Sequence, residues 1–226
     1  NNLGRACNMM GQHTEAIAWY IKAMAADPDS ATVADNYLFC LNYCDGIAPE
    51  HISAEHFRLA PVFLKNDAPE PEDFRFCSPL ARLRIGYVSG DLFTHSVTYF
   101  LEPILQHHDY GRFDVYCYSL GSACDATTER LKSYPCLWRD LNGCSPREVA
   151  KQVRDDRVDI LVDLSGHTSN NRLGVFAARS APVQISWIGY PNTTGLPAMD
   201  YYITDAVCDP PGMTEHLFSE SLWRLP

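Results

Sequence analysis

Three things are scarce or missing in this 226-residue sequence, and each absence closes off a class of function. Positive charge is scarce: 18 lysines and arginines against 28 aspartates and glutamates leave a formal net charge of -10. Nucleic-acid binders show the reverse, a basic surface that neutralises phosphates. A small anionic ligand stays open, because a helix N-terminus binds phosphate through its own N–H groups. Long apolar runs are missing. None reaches the ~18 residues of a membrane-spanning helix, and the opening residues do not read as a signal peptide. Glycine-rich phosphate loops are missing too: no G-x-G-x-x-G and no G-x-x-x-x-G-K-S/T occurs. That disfavours an ordinary dinucleotide site and removes the P-loop reading. The nine cysteines form an odd set without one C-x-x-C spacing, so they are read as reduced core or surface thiols in a reducing compartment. Cytoplasm and nucleus are the expected locations.

What is present builds a core. Apolar residues make up 46 % and charged residues 20 %, a globular balance. The first thirty residues fit the 34-residue tetratricopeptide pattern: Leu3-Gly4 as its L-G pair, Ala16 and Tyr20 as A-x-x-x-F, Ala23 as the small residue between helices, Pro28 as the closing proline. Cys7 stands where tyrosine is usual, and the pattern's tryptophan would precede Asn1, so the chain reads as opening inside a longer array. Residues 31–45 continue as an atypical capping helix, with Cys40 and Cys44 one turn apart. A further helix is expected across 50–64 with Pro61 near its end, and His51 and His56 are read as an exposed or half-buried face of it. Residues 66–81 mix proline and acid without periodicity and read as a linker.

After the linker the grammar changes. β-rich runs at 83–89, 113–120, 136–141, 158–166, 183–191 and 201–207 alternate with helical stretches, most clearly 96–107 and 145–156. Alternation of this kind predicts right-handed crossovers and a mainly parallel sheet of about six strands covered on both faces. Ser145 and Glu148 form a capping box with Pro146 at the first helical position. The expected organisation is therefore α/β: tetratricopeptide hairpins over 1–65, the linker over 66–81 and a Rossmann-like lobe over 82–226.

In an open parallel sheet, ligands bind beyond the carboxyl ends of the strands. The segments there are Ser89–Ser96, Ser165–Asn171, Gly189–Gly195 and Asp205–Pro211, all polar and glycine-punctuated. His95 and His167 both belong to this rim. Taken singly, Asp91 and Thr94 suit turns and caps, and Asn192-Thr193-Thr194-Gly195 suits a surface turn. Their convergence on one edge is what suggests a cleft.

The runs RIGYVSGDLFTHSVTYFLEPIL and VDILVDLSGHTSNNRLGVFAARSAPVQISWIGYPNTTGLPAMDYYITDAVCDPP closely resemble the O-GlcNAc transferase/SPINDLY family of protein glycosyltransferases. His95-Ser96-Val97, His167-Thr168 and Asn192-Thr193-Thr194 are nearer its plant SPINDLY branch. The resemblance implies a two-lobed GT-B fold, of which this chain would supply the last repeats and the N-terminal lobe. It implies a nucleotide-sugar donor, protein acceptors guided by the repeats, and no metal or other cofactor. By position His95 becomes the catalytic candidate, as base or as a group that positions the acceptor. Asp91, Thr94, His167, Thr168, Tyr190, Pro191, Asn192, Thr193, Thr194 and Gly195 become substrate-binding candidates. The donor would be GDP-fucose or UDP-N-acetylglucosamine, with the SPINDLY-like wording favouring the first.

No nucleic-acid or membrane partner is expected, and self-association through the repeats is. Residues 1–226 alone are expected to be inactive, because a two-lobed site would have only one wall. Two rivals stand beside this reading. One is a non-catalytic tetratricopeptide scaffold with a vestigial lobe. The other is a metallohydrolase using Asp91, His95, Asp163 and His167, whose spacing lacks the helical H-x-x-x-H pattern of a zinc site.

Overall fold

A computed structural model describes residues 1–64 and 82–226; the linker expected over 66–81 lies outside the described residues. The chain opens with four helices, α1 (Asn2–Met9), α2 (His13–Ala26), α3 (Ala31–Leu41) and α4 (Pro49–Leu64). Gly4 shows why the first pair packs so closely: a Cβ there would meet the Tyr20 ring at 2.5 Å. The expected partners, Ala16 and Tyr20, are both fully buried. Pro61 lies in the last turn of α4, as expected.

The second part alternates strand and helix: β1 (Leu83–Ser89), α5 (Ser96–His107), β2 (Phe113–Ser119), α6 (Ala126–Lys132), β3 (Leu137–Asp140), α7 (Pro146–Asp155), β4 (Ile160–Asp163), α8 (Leu173–Ala177), β5 (Val183–Trp187), β6 (Tyr201–Asp205), a 3-10 turn (Glu215–Leu217) and β7 (Ser221–Leu225). Every strand pairing is parallel, in the order β3-β2-β1-β4-β5-β6-β7. The α/β class is thus the one expected, with seven strands in place of about six. The addition is β7, which pairs Tyr201 with Ser221 at the sheet edge and leaves Trp223 and Leu225 about half exposed.

Helices cover both faces. One buried cluster joins Leu101, Leu105 and Leu131 to Cys117 and Val162. The other runs without a break from Tyr20 and Leu38 through Phe63 to Leu161 and Phe176, so the helical part and the sheet share a core. The capping box of α7 is formed: Ser145 accepts from Glu148 N at 3.3 Å while Glu148 accepts from Ser145 N at 2.8 Å. Each of the eight cysteines among the described residues is a free thiol, and no helix among those residues is long and apolar enough to cross a membrane.

One expectation about α4 is corrected. His51 is exposed, but His56 is fully buried. The helix sits between α3 and α8, so its second histidine faces the shared core. There Nδ1 donates to the Ile52 carbonyl at 2.7 Å and Nε2 accepts from the Tyr190 hydroxyl at 2.8 Å. Burial first, then the charge of His167, push its imidazole down from 6.5 to about 3, which keeps it neutral.

Candidate functional site

The connection from β1 leads toward β2 and that from β4 toward β5, on opposite sides of the sheet. Where such paths diverge, the carboxyl ends of the strands leave a crevice. A cavity of about 730 Å³ occupies it. Its sheet-side wall carries Asp91, His95, Phe100, Asn170 and Arg172, and its helical wall carries Arg5, Asp35, Asn36 and Phe39.

His95 is the N-cap of α5. Its Nδ1 accepts from Val97 N at 3.3 Å, and Thr98 returns the favour by accepting from His95 N at 3.3 Å. The capping bond has a chemical consequence. In a neutral imidazole with Nδ1 accepting, the proton resides on Nε2, so His95 offers the cavity an N–H and not a lone pair. Beside it, Asp91 is buried, lines the same cavity, and its carboxylate has no hydrogen-bond partner among the described residues. Burial raises its carboxyl above the ordinary aspartate value, against the opposing pull of His95. A raised carboxyl on a cleft wall is the usual environment of a proton acceptor.

His167 also borders the cavity, but its side chain is fully buried and both ring nitrogens are engaged. Nδ1 donates to Asp35 at 2.8 Å and Nε2 to the Thr194 carbonyl at 2.9 Å. Both ring nitrogens are spent on these acceptors, so His167 ties α3 to two rim loops. It has no lone pair to give a cation. Asp163 is likewise occupied, accepting from Ser165 N at 3.1 Å and Gly166 N at 2.8 Å. The four residues of the metallohydrolase reading therefore do not form a ligand set.

The structure divides the remaining candidates. Thr168 lines the cavity. Thr94 is exposed and turns to α6, with its N donating to Asp125 at 2.9 Å and its hydroxyl 2.9 Å from that of Thr127. The loop after β5 is placed inside the protein. Tyr190 is 2 % exposed; its hydroxyl donates to His56 and accepts from Asn42 at 2.8 Å. Asn192 donates to the same Asn42 at 3.0 Å, while Pro191 is exposed. Thr193 and Thr194 are completely buried and bind the carboxylate of Glu220: the Thr193 hydroxyl at 2.6 Å, the Thr194 amide at 2.8 Å, and the Thr194 hydroxyl as well. Gly195 has a φ of +71°, and a Cβ on it would meet the His56 backbone at 2.6 Å. Of the candidates, the cavity therefore gathers Asp91, His95, His167 and Thr168 but not Thr94 or the 190–195 loop.

Asp35, Arg5, Arg172 and Glu220 escaped the sequence reading. Asp35 left a trace, a lone acid inside the apolar run ATVADNYLFC.

A parallel sheet with a polar cavity at its switch point defines a Rossmann-like ligand-binding lobe. Residues 49–226 match the family described as Glycosyl transferase family 41, and the chain belongs to it. It is 46 % identical to the rice (Oryza sativa subsp. japonica) "Probable UDP-N-acetylglucosamine--peptide N-acetylglucosaminyltransferase SPINDLY" over 92 % of this chain and 23 % of that protein. The Arabidopsis thaliana protein of the same name is 42 % identical over 88 % of this chain and 22 % of its own length. A solved mutant O-GlcNAc transferase from Thermobaculum terrenum superposes with a TM-score of 0.92 at 39 % identity, covering 99 % of this chain and 43 % of that one. The chain thus spans less than a quarter of these plant relatives.

Proposed function

We propose that the protein carrying this chain transfers one sugar from a nucleotide sugar to a serine or threonine hydroxyl of a protein acceptor. The observation that carries this reading is the cavity shared by the β1 and β4 rim and helices α1 and α3, in a chain of family 41. A site walled on one side by helices has room for a polypeptide to run from the repeats to the reacting centre.

In the reaction, the acceptor oxygen bonds to the anomeric carbon as the bond from that carbon to the diphosphate breaks. The hydroxyl proton must leave and the nucleoside diphosphate departs. Asp91 is suited to take the proton, and the Nε2–H of His95 to hold an oxygen in place. His167 and the 190–195 loop support the rim from behind. The residues call for no metal ion, and cytoplasm and nucleus fit protein acceptors of this kind.

For the donor we favour GDP-fucose on the wording of His167-Thr168 and Asn192–Gly195. The names of the relatives point to UDP-N-acetylglucosamine. Incubating the full-length protein with each donor and an acceptor, then weighing the acceptor by mass spectrometry, separates the two. Turnover of UDP-N-acetylglucosamine alone overturns the preference, and no transfer from either leaves a scaffold.

A further inference from the structure

We propose that the cavity selects acceptor polypeptides with acidic side chains close to the modified hydroxyl, and that Arg5 and Arg172 read that charge. The proposal rests on the protein-acceptor reading above and deepens it.

The chain as a whole is acidic, with a net charge of -10, but the cavity wall is not. Asp35 is occupied where it stands, receiving His167 Nδ1 and Asn171 Nδ2, each at 2.8 Å. Asp91, the proton acceptor, is a single buried carboxylate set against two arginines. Arg5 and Arg172 line the same cavity, and neither has a carboxylate partner among the described residues. Arg172 donates to the carbonyls of Asn170 and Asn171, at 3.5 and 2.8 Å. Those bonds hold the guanidinium at the rim without cancelling its charge.

The two cations come from different walls: Arg5 from α1, Arg172 from the loop that precedes α8. Cations supplied from two walls of one cavity suit a chain with carboxylates on either side of the modified hydroxyl better than one compact anion. Guanidinium also pairs with carboxylate in a two-point fork, which gives orientation as well as attraction.

The test uses the full-length protein and labelled peptides of one length, each with a single serine flanked by glutamate, glutamine or lysine. At low salt the acidic peptide should bind about fivefold tighter than the neutral one and the basic peptide most weakly. The order should flatten as salt rises. In transfer assays the difference should sit in KM, with kcat little changed. The double variant Arg5→Glu, Arg172→Glu should invert the order. Arg5→Gln, at an exposed position, should shrink it and serves if the double variant does not fold. Peptides that bind without order, or an order that both variants keep, overturn the proposal. So does a loss of inorganic diphosphate binding in Arg5→Gln with the peptide order intact, which hands the arginines to the donor. Charge-ordered binding without sugar transfer would sink the glycosyltransferase reading and leave this one standing; transfer without order does the reverse.

Discussion

The loop after β1 leaves His95 half-buried over the cavity, whereas the loop after β5 buries Thr193 and Thr194 completely. Both loops lie at the same edge of the same sheet, and both are rich in hydroxyls and amides. The difference is what each was given as a partner. His95 spends one nitrogen on its own helix and keeps the other toward the cavity. The two threonines meet a buried carboxylate from Glu220, so their polarity is satisfied inside the fold. Polar residues at a strand's carboxyl end are therefore either ligand-facing or struts, and only the partners decide which.

The largest expected effect tests the open side. His95→Ala in the full-length protein should lower turnover roughly 10²–10³-fold, the usual consequence of losing one preorganised donor. His95→Asn restores an N-cap acceptor and should recover the unfolding midpoint without recovering turnover. Equal turnover in parent and both variants would return His95 to a purely structural cap.

The next effect tests the buried side. Glu220→Ala leaves the Thr193 and Thr194 hydroxyls and the Thr194 amide without their acceptor. Destabilisation of about 3 kcal/mol is expected from urea unfolding, because unsatisfied buried donors are expensive. A change below ~1 kcal/mol would mean that the loop is not held as described.

Much of this architecture could be read in advance, and the failures have a common cause. The Ser145–Glu148 box, β1 and α5 were legible because caps and periodicity are local signals. β7 was not, because its five residues carry exposed and half-buried side chains in alternation at an edge. His56 is buried against the sequence expectation because α4 packs against both α3 and α8, and no helical period reveals a second neighbour. The 190–195 loop reads as substrate-facing from sequence because its partner, Glu220, lies 26 residues from Thr194. The helical wall of the cavity was missed for the same reason: Arg5 and Asp35 reach the site through tertiary packing alone.

A pH series probes the strut from another angle. The unfolded chain protonates His56 near 6.5, but the folded protein holds it at about 3. Its neutral form therefore contributes stability that is present above pH 6.5 and lost as pH falls. Asp163 acts in the opposite sense, since burial raises it from 3.8 to about 6, and its contribution is lost as pH rises through that window. Between pH 4 and 6 the two offset. Relative to the parent, His56→Gln should gain about 1.4 kcal/mol for each unit that pH drops below 6.5. Chemical unfolding at several pH values measures this, and parallel curves would show that His56 already titrates normally in the folded state.

The smallest effect bears most directly on the comparison, because Tyr190 is where the sequence reading and the structure part company. Read from sequence, it binds substrate; in the fold, its hydroxyl joins His56 to Asn42 and does not line the cavity. Tyr190→Phe keeps the ring and removes only that oxygen. Asn42 retains its second bond, donating to the Leu38 carbonyl at 3.0 Å, so the main loss is the donor to His56 Nε2. A cost of roughly 1–2 kcal/mol is expected. Because the rim loses no group that faces the cavity, kcat and KM should stay within about twofold of the parent at temperatures where both are folded. A strut predicts lower stability with unchanged kinetics. Unchanged stability with raised KM would put the hydroxyl on the substrate and restore the first assignment.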